Sequence, residues 1–159
     1  MGNCITIEYS AIEKLRYKKD GHYHINIPTF YNKNSYANDR IDFVFDTGAY
    51  FTVINKKSAL DFGFNLLPPF KTNLPLSGFA GNCEVEIKII PCIIIGGYML
   101  KNVKVAIPYI NTNINILGLN VLENFNYYLD NANDFVYFSL NPAPKIPEEL
   151  QCGSIELIT

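Results

Sequence analysis

One carboxylate set between two apolar runs constrains this chain more than any other feature. Residues 41–54 read I-D-F-V-F-D-T-G-A-Y-F-T-V-I. Phe43, Val44 and Phe45 deliver Asp46 into a tight Thr47-Gly48 turn, and a second apolar run, 50–54, leaves that turn at once. Asp and Gly are ordinary residues of a surface hairpin. Such a hairpin, however, does not need strands this apolar on both sides. A carboxylate placed between two buried strands is normally paired or at work.

The rest of the chain repeats the same grammar of short apolar segments and turns. Val, Ile, Tyr, Phe and Thr dominate, which favours sheet over helix. Residues 5–9, 15–17 and 23–27 read as strands, the last two joined by the turn Lys18-Lys19-Asp20-Gly21. Tyr23, Ile25 and Ile27 alternate with His22, His24 and Asn26, so one face is buried and the two histidines are solvated. Pro28 is expected to end that strand, with a polar loop over 32–40. Asn55 caps a short helix that closes at Gly63, and Pro68-Pro69 opens a loop. Glu84, Glu86 and Lys88 alternate with Val85, Ile87 and Ile89 on a long one-sided strand that continues to Ile95. Gly96-Gly97 turns the chain into a returning strand over 99–107. A further strand over 114–117 ends at Gly118. A second short helix then spans 120–126 with Asn120 as its cap. A hairpin of 127–130 and 135–140 follows.

These elements predict an all-β chain with one or two short helices. At 159 residues it suits one domain that buries about two thirds of its unfolded surface. The domain is placed at 1–140, with a core of 22–140 and an N-terminal extension of 1–21. Residues 141–147 form a stiff Pro-rich spacer, and 155–158 is either a terminal strand or a loose tail.

Charge and composition exclude several functions. The net charge is −2 with no basic block, which argues against nucleic acid. No apolar run reaches the ~20 residues of a transmembrane helix. The first ten residues lack the pattern of a secretory signal. Four scattered cysteines, Cys4, Cys83, Cys92 and Cys152, have no metal-type spacing. The expectation is four reduced thiols in a cytoplasmic protein, and no metal site. Gly2 and Cys4 fit a lipidation pattern, a short one that competes with the strand over 5–9.

Asp46-Thr47-Gly48-Ala49 after an apolar strand, followed by Thr52-Val53-Ile54, resembles the first signature of the retropepsin-like aspartic proteases. These are the single-domain relatives of the retroviral enzymes. Ile116-Leu117-Gly118-Leu119-Asn120 resembles the family's second signature, an apolar pair and Gly leading into a short helix. Leu76-Ser77-Gly78-Phe79-Ala80-Gly81 resembles its glycine-rich flap tip, although Gly-rich loops of this kind are common. The three landmarks stand in the family's order between about residues 25 and 138.

The resemblance implies a closed, barrel-like acid-protease fold and an aspartic endopeptidase that needs no metal or cofactor. Peptide hydrolysis by aspartates takes two carboxylates sharing one proton. Only one Asp-Thr-Gly occurs here, so the implied enzyme is a homodimer that draws its second Asp46 from the partner. Asp46 is then the catalyst, and Thr47, Gly48 and Ala49 its loop. Ser77, Gly78, Phe79, Ala80 and Gly81 form the flap over a peptide or protein substrate. Ile114 and Ile116 line pockets for apolar side chains beside the cut. Ala49 stands where some relatives carry a serine able to hydrogen-bond the carboxylate, which implies activity at weakly acidic to neutral pH. Viral members pair an Asp and an Arg near the dimer contact, and here those two places hold Tyr50 and Leu119. A non-cleaving peptide-binding or dimerisation module is the alternative, and a lipid-tethered adaptor a third.

Overall fold

The computed structural model describes residues 14–19, 21–30, 40–78 and 81–157. Among them, ten strands form one sheet, accompanied by two short α-helices. Strand β1 (Lys14–Lys19) pairs antiparallel with β2 (Tyr23–Phe30), and Gly21 between them takes a φ of +93° that glycine adopts without strain. Ile25 and Ile27 of β2 are buried, as their alternation predicts.

Pro28 does not end β2. The strand pairs with β3 (Arg40–Phe45) as far as Pro28↔Arg40, then with β5 (Gly81–Ile95) at Thr29↔Ile93 and Phe30↔Cys92. Proline removes one donor from a ladder, and a point where the strand changes partner tolerates that loss.

Strand β3 carries the aspartate. It lies between antiparallel β2 and parallel β7 (Asn115–Leu117), in register Phe43↔Asn115 to Phe45↔Leu117. Flanked on both sides, Ile41, Phe43 and Val44 are all buried. That is why the run is apolar without a clean alternation.

Residues 69–78, expected as loop, form β4 (Pro69–Gly78), which pairs antiparallel with β5. The register slips between Pro69 and Lys71 and again between Lys71 and Leu74, and Asn73 sits at φ +53°. Two such irregularities and two prolines hide the strand's periodicity. Strand β5 turns at Gly96-Gly97 into β6 (Tyr98–Pro108). Lys88 departs from its expected solvated face. It is buried, and its ammonium donates to the carbonyls of Asn65 and Leu67 at 2.9 and 2.8 Å.

Strands β8 (Phe125–Asp130) and β9 (Phe135–Leu140) form the expected hairpin, and β9 pairs with β1. Strand β10 (Ser154–Leu157) pairs antiparallel with β6 of its own chain.

Backbone bonds around residues 52–54 join the sheet back on itself. Val53 and Ile116 exchange two bonds of 2.8 Å, Ile54 N–H donates to Ala106 at 3.0 Å, and Ala106 N–H donates to Thr52 at 2.9 Å. A circuit therefore runs β2–β3–β7, through 52–54, to β6 and β5 and back to β2. Inside it lies the main core, which includes Ile25, Phe43, Ile54, Ile93, Leu117 and Phe138.

Helix α1 (Lys56–Asp61) is capped as predicted: the Asn55 side chain accepts the Ser58 N–H at 2.8 Å, and Gly63 follows at φ +78°. Helix α2 (Leu119–Leu122) differs from its expectation, because Gly118 is the cap and Asn120 lies within the helix. Cys83 and Cys92 are nine residues apart on one strand, or about 30 Å. Cys83, Cys92 and Cys152 are free thiols. His24 is half-buried rather than solvated, with Nδ1 3.3 Å from Asp42 Oδ2. No group of three or more His, Cys, Asp or Glu able to hold a metal occurs among the described residues. None of their helices is long and apolar enough to cross a membrane. Gly2, Cys4 and the strand expected over 5–9 lie outside the described residues.

Candidate active site

The parallel pair β3–β7 ends at Phe45↔Leu117, and Asp46 is the next residue along β3. Its N–H extends the ladder by one bond, donating to the Leu117 carbonyl at 3.1 Å. The chain then turns sharply, with Ala49 N–H donating back to the Asp46 carbonyl at 3.3 Å. Within that turn the Gly48 N–H donates to Asp46 Oδ1 at 2.8 Å. A Cβ on Gly48 would stand 3.2 Å from that oxygen, so the amide's approach depends on a residue without a side chain. The carboxylate is thus held by one backbone donor, and its remaining lone pairs stay available to the cavity it lines.

The second Gly-containing segment locks this loop. Leu119 N–H donates to the Ala49 carbonyl at 2.7 Å and Asn120 N–H to that of Tyr50 at 3.0 Å. Gly118 lies so close to the loop that an added Cβ would fall 2.5 Å from both Phe51 C and O. Beneath it, the Asn120 side chain accepts from Thr52 N–H and Thr52 Oγ1, each at 2.8 Å, and donates to the Lys104 carbonyl at 2.7 Å. Thr52 Oγ1 in turn accepts the Gly118 N–H at 3.1 Å. Sequence reasoning assigned Asn120 to a cap and gave Thr52 no role. A buried Asn facing a buried Thr is the signal that pairs them, and it needs the fold to be seen.

A cavity of about 310 Å³ opens over Asp46. Of the residues expected at the site, Asp46, Gly48, Ala49, Ser77, Ile114 and Ile116 line it. Thr47 is exposed in the turn and is not part of the lining. Gly78 and Gly81 pair at the end of the β4–β5 hairpin, while Phe79 and Ala80 lie outside the described residues. The structure adds Tyr50, Phe51, Val53, Leu76, Cys83, Pro108 and Thr112. Asp46 is the one charged side chain of this lining. An isolated carboxylate on an apolar floor can accept a proton or position water, and the apolar walls can bury aliphatic or aromatic side chains.

The fold and this loop pair define the retropepsin-like class. A retropepsin-like aspartic protease from Rickettsia conorii, known from a crystal structure, superposes with a TM-score of 0.55. It shares 26% identity over 79% of this chain and 87% of that one. Residues 34–124, more than half the chain, match the family described as "gag-polyprotein putative aspartyl protease". The chain belongs to that family of aspartyl proteases. No curated protein sequence gives a significant match.

Proposed function

We propose that the protein is an aspartic endopeptidase, active as a homodimer, that hydrolyses peptide bonds between apolar residues. One observation carries this: Asp46, oriented by the Gly48 amide, is the single carboxylate of an apolar cleft beneath a β-hairpin. One carboxylate cannot be acid and base in the same step, so the second is the Asp46 of another copy. Two carboxylates about 3 Å apart hold one proton between them.

The ionised member takes a proton from water as the water oxygen bonds to the scissile carbonyl carbon. The protonated member gives its proton to the carbonyl oxygen, which leaves a neutral tetrahedral diol. Breaking the C–N bond returns a proton to the leaving nitrogen, and the shared proton is restored. Thr47 and Ala49 shape the loop that carries the carboxylate. Residues 77–81 act as the flap, with Phe79 and Ala80 at its tip, and Ile114 and Ile116 receive the side chains beside the cut.

The test compares wild type with Asp46→Asn on casein and on a peptide library. Wild type should cleave next to apolar residues, and the variant should lose at least about 10³ of the rate. Equal cleavage by both would end the proposal. Peptide binding without cleavage by either would favour a non-cleaving module.

A further inference from the structure

The dimer proposed above, on which this inference rests, fixes more than the catalytic pair. If two Asp46 carboxylates meet at about 3 Å, the two-fold axis passes beside the Asp46 turn. Whatever stands exposed around that turn is then buried between the copies. The largest such side chain is Tyr50, four residues on and 63% exposed. It stands on a fixed base, because the carbonyls of Ala49 and Tyr50 accept the Leu119 and Asn120 amides at 2.7 and 3.0 Å. Beside it lies a hollow of about 170 Å³ framed by Leu119, Glu123, Ile146, Pro147 and Leu150. Strand β10, by contrast, already has one edge engaged by β6, with Lys101 Nζ 2.9 Å from Glu156 Oε1.

We propose that Tyr50 and Leu119 form an apolar clamp across the dimer axis. Each Tyr50 ring packs on the partner's Leu119, beside the hollow bounded by 146–150. The occupant is a second copy of this chain. Another protein would also bury Tyr50, but only a copy would bring the missing carboxylate. A tyrosine buries a large apolar face while keeping its hydroxyl wet, the property that enriches it at interfaces. Neither residue carries a charge, so the contact gains nothing from an ion pair. Sodium chloride should therefore leave association nearly unchanged, and sulfate should strengthen it.

Sedimentation equilibrium and specific activity against protein concentration test this, for wild type, Tyr50→Phe, Tyr50→Asp, Leu119→Lys and Leu157→Asp. Tyr50 is exposed in a single copy, so its substitution spares the fold, which circular dichroism verifies. The expected result is a dimer whose Kd rises at least a hundredfold in Tyr50→Asp and at least tenfold in Leu119→Lys. Tyr50→Phe should stay within a few-fold of wild type. Raising NaCl from 0.05 to 0.5 M should change Kd less than threefold.

A dimer that Tyr50→Asp and Leu119→Lys leave intact, with peptidase activity retained, overturns the clamp alone. So does dissociation only by Leu157→Asp, which would place the interface on the β10 edge. A tenfold rise in Kd with NaCl also overturns it. A wild type that cleaves as a monomer removes the clamp and the dimeric mechanism together. A wild type that never cleaves, dimer or not, counts against the peptidase reading itself.

Discussion

Asn120→Ala probes the joint between the aspartate loop and α2. Asn120 and Thr52 are 2% and 0% exposed, so water cannot replace what the substitution removes. Thr52 N–H loses its acceptor and the Lys104 carbonyl loses a donor. A buried group left unpaired costs about 1–3 kcal/mol, so two of them cost about 2–4 kcal/mol with partial relaxation. That is a large share of a total stability of about 5–15 kcal/mol. At about 2–4 °C per kcal/mol for a chain of this size, Tm should fall by about 5–15 °C. Urea unfolding followed by circular dichroism, at one fixed protein concentration, measures the loss. Asn120→Asp keeps the acceptors for Thr52 but removes the donor to Lys104 and buries a charge, so it should also destabilise. A change below about 0.5 kcal/mol in Asn120→Ala would refute the assignment of Asn120 as the hub.

Gly118→Ala should destabilise by more than about 2 kcal/mol, because its Cβ would meet Phe51 backbone atoms at 2.5 Å. Gly48→Ala should instead spare stability and lower kcat, since the atom crowded at 3.2 Å is Asp46 Oδ1. Equal melting curves for Gly118→Ala and wild type would contradict this contrast. Lys88→Met should cost about 2–4 kcal/mol in urea unfolding, because two carbonyls lose a charged donor. Burial pushes the Cys92 thiol up from 9.0 to about 11, so at pH 8 iodoacetamide should alkylate it about a hundredfold more slowly in native protein than in unfolded protein. The same shift makes stability fall as pH rises from about 9 to about 11, because the folded state binds the Cys92 proton more tightly. Equal native and unfolded alkylation rates would show that the thiol is not buried.

Much of the fold is written in period-two alternation and glycine turns. Ile25 and Ile27, the β5–β6 hairpin at Gly96-Gly97 and the β8–β9 hairpin all follow from it. Asp46 and Gly118 could be read too, because a polar or side-chain-free residue interrupts an apolar run only for a reason. What escaped was set by neighbours distant in sequence. Pro28 continues its strand because β5 takes over from β3. Strand β4 hides behind Pro69, Pro75 and its irregular register. Lys88 looks solvated until the carbonyls of Asn65 and Leu67 fold over it. Asn120 has a cap residue's chemistry but spends it on Thr52, 68 positions away.

Subunit mixing tests the central claim, that each active site takes one Asp46 from each of two chains. Wild type and Asp46→Asn, equilibrated in equal amounts well above the dimer Kd, should retain about one quarter of the activity of the same total protein as wild type, since random pairing makes one dimer in four fully competent. Across mixing ratios, activity should follow the square of the wild-type fraction. A linear dependence, with half the activity left at equal mixing, would mean that one chain's aspartate suffices.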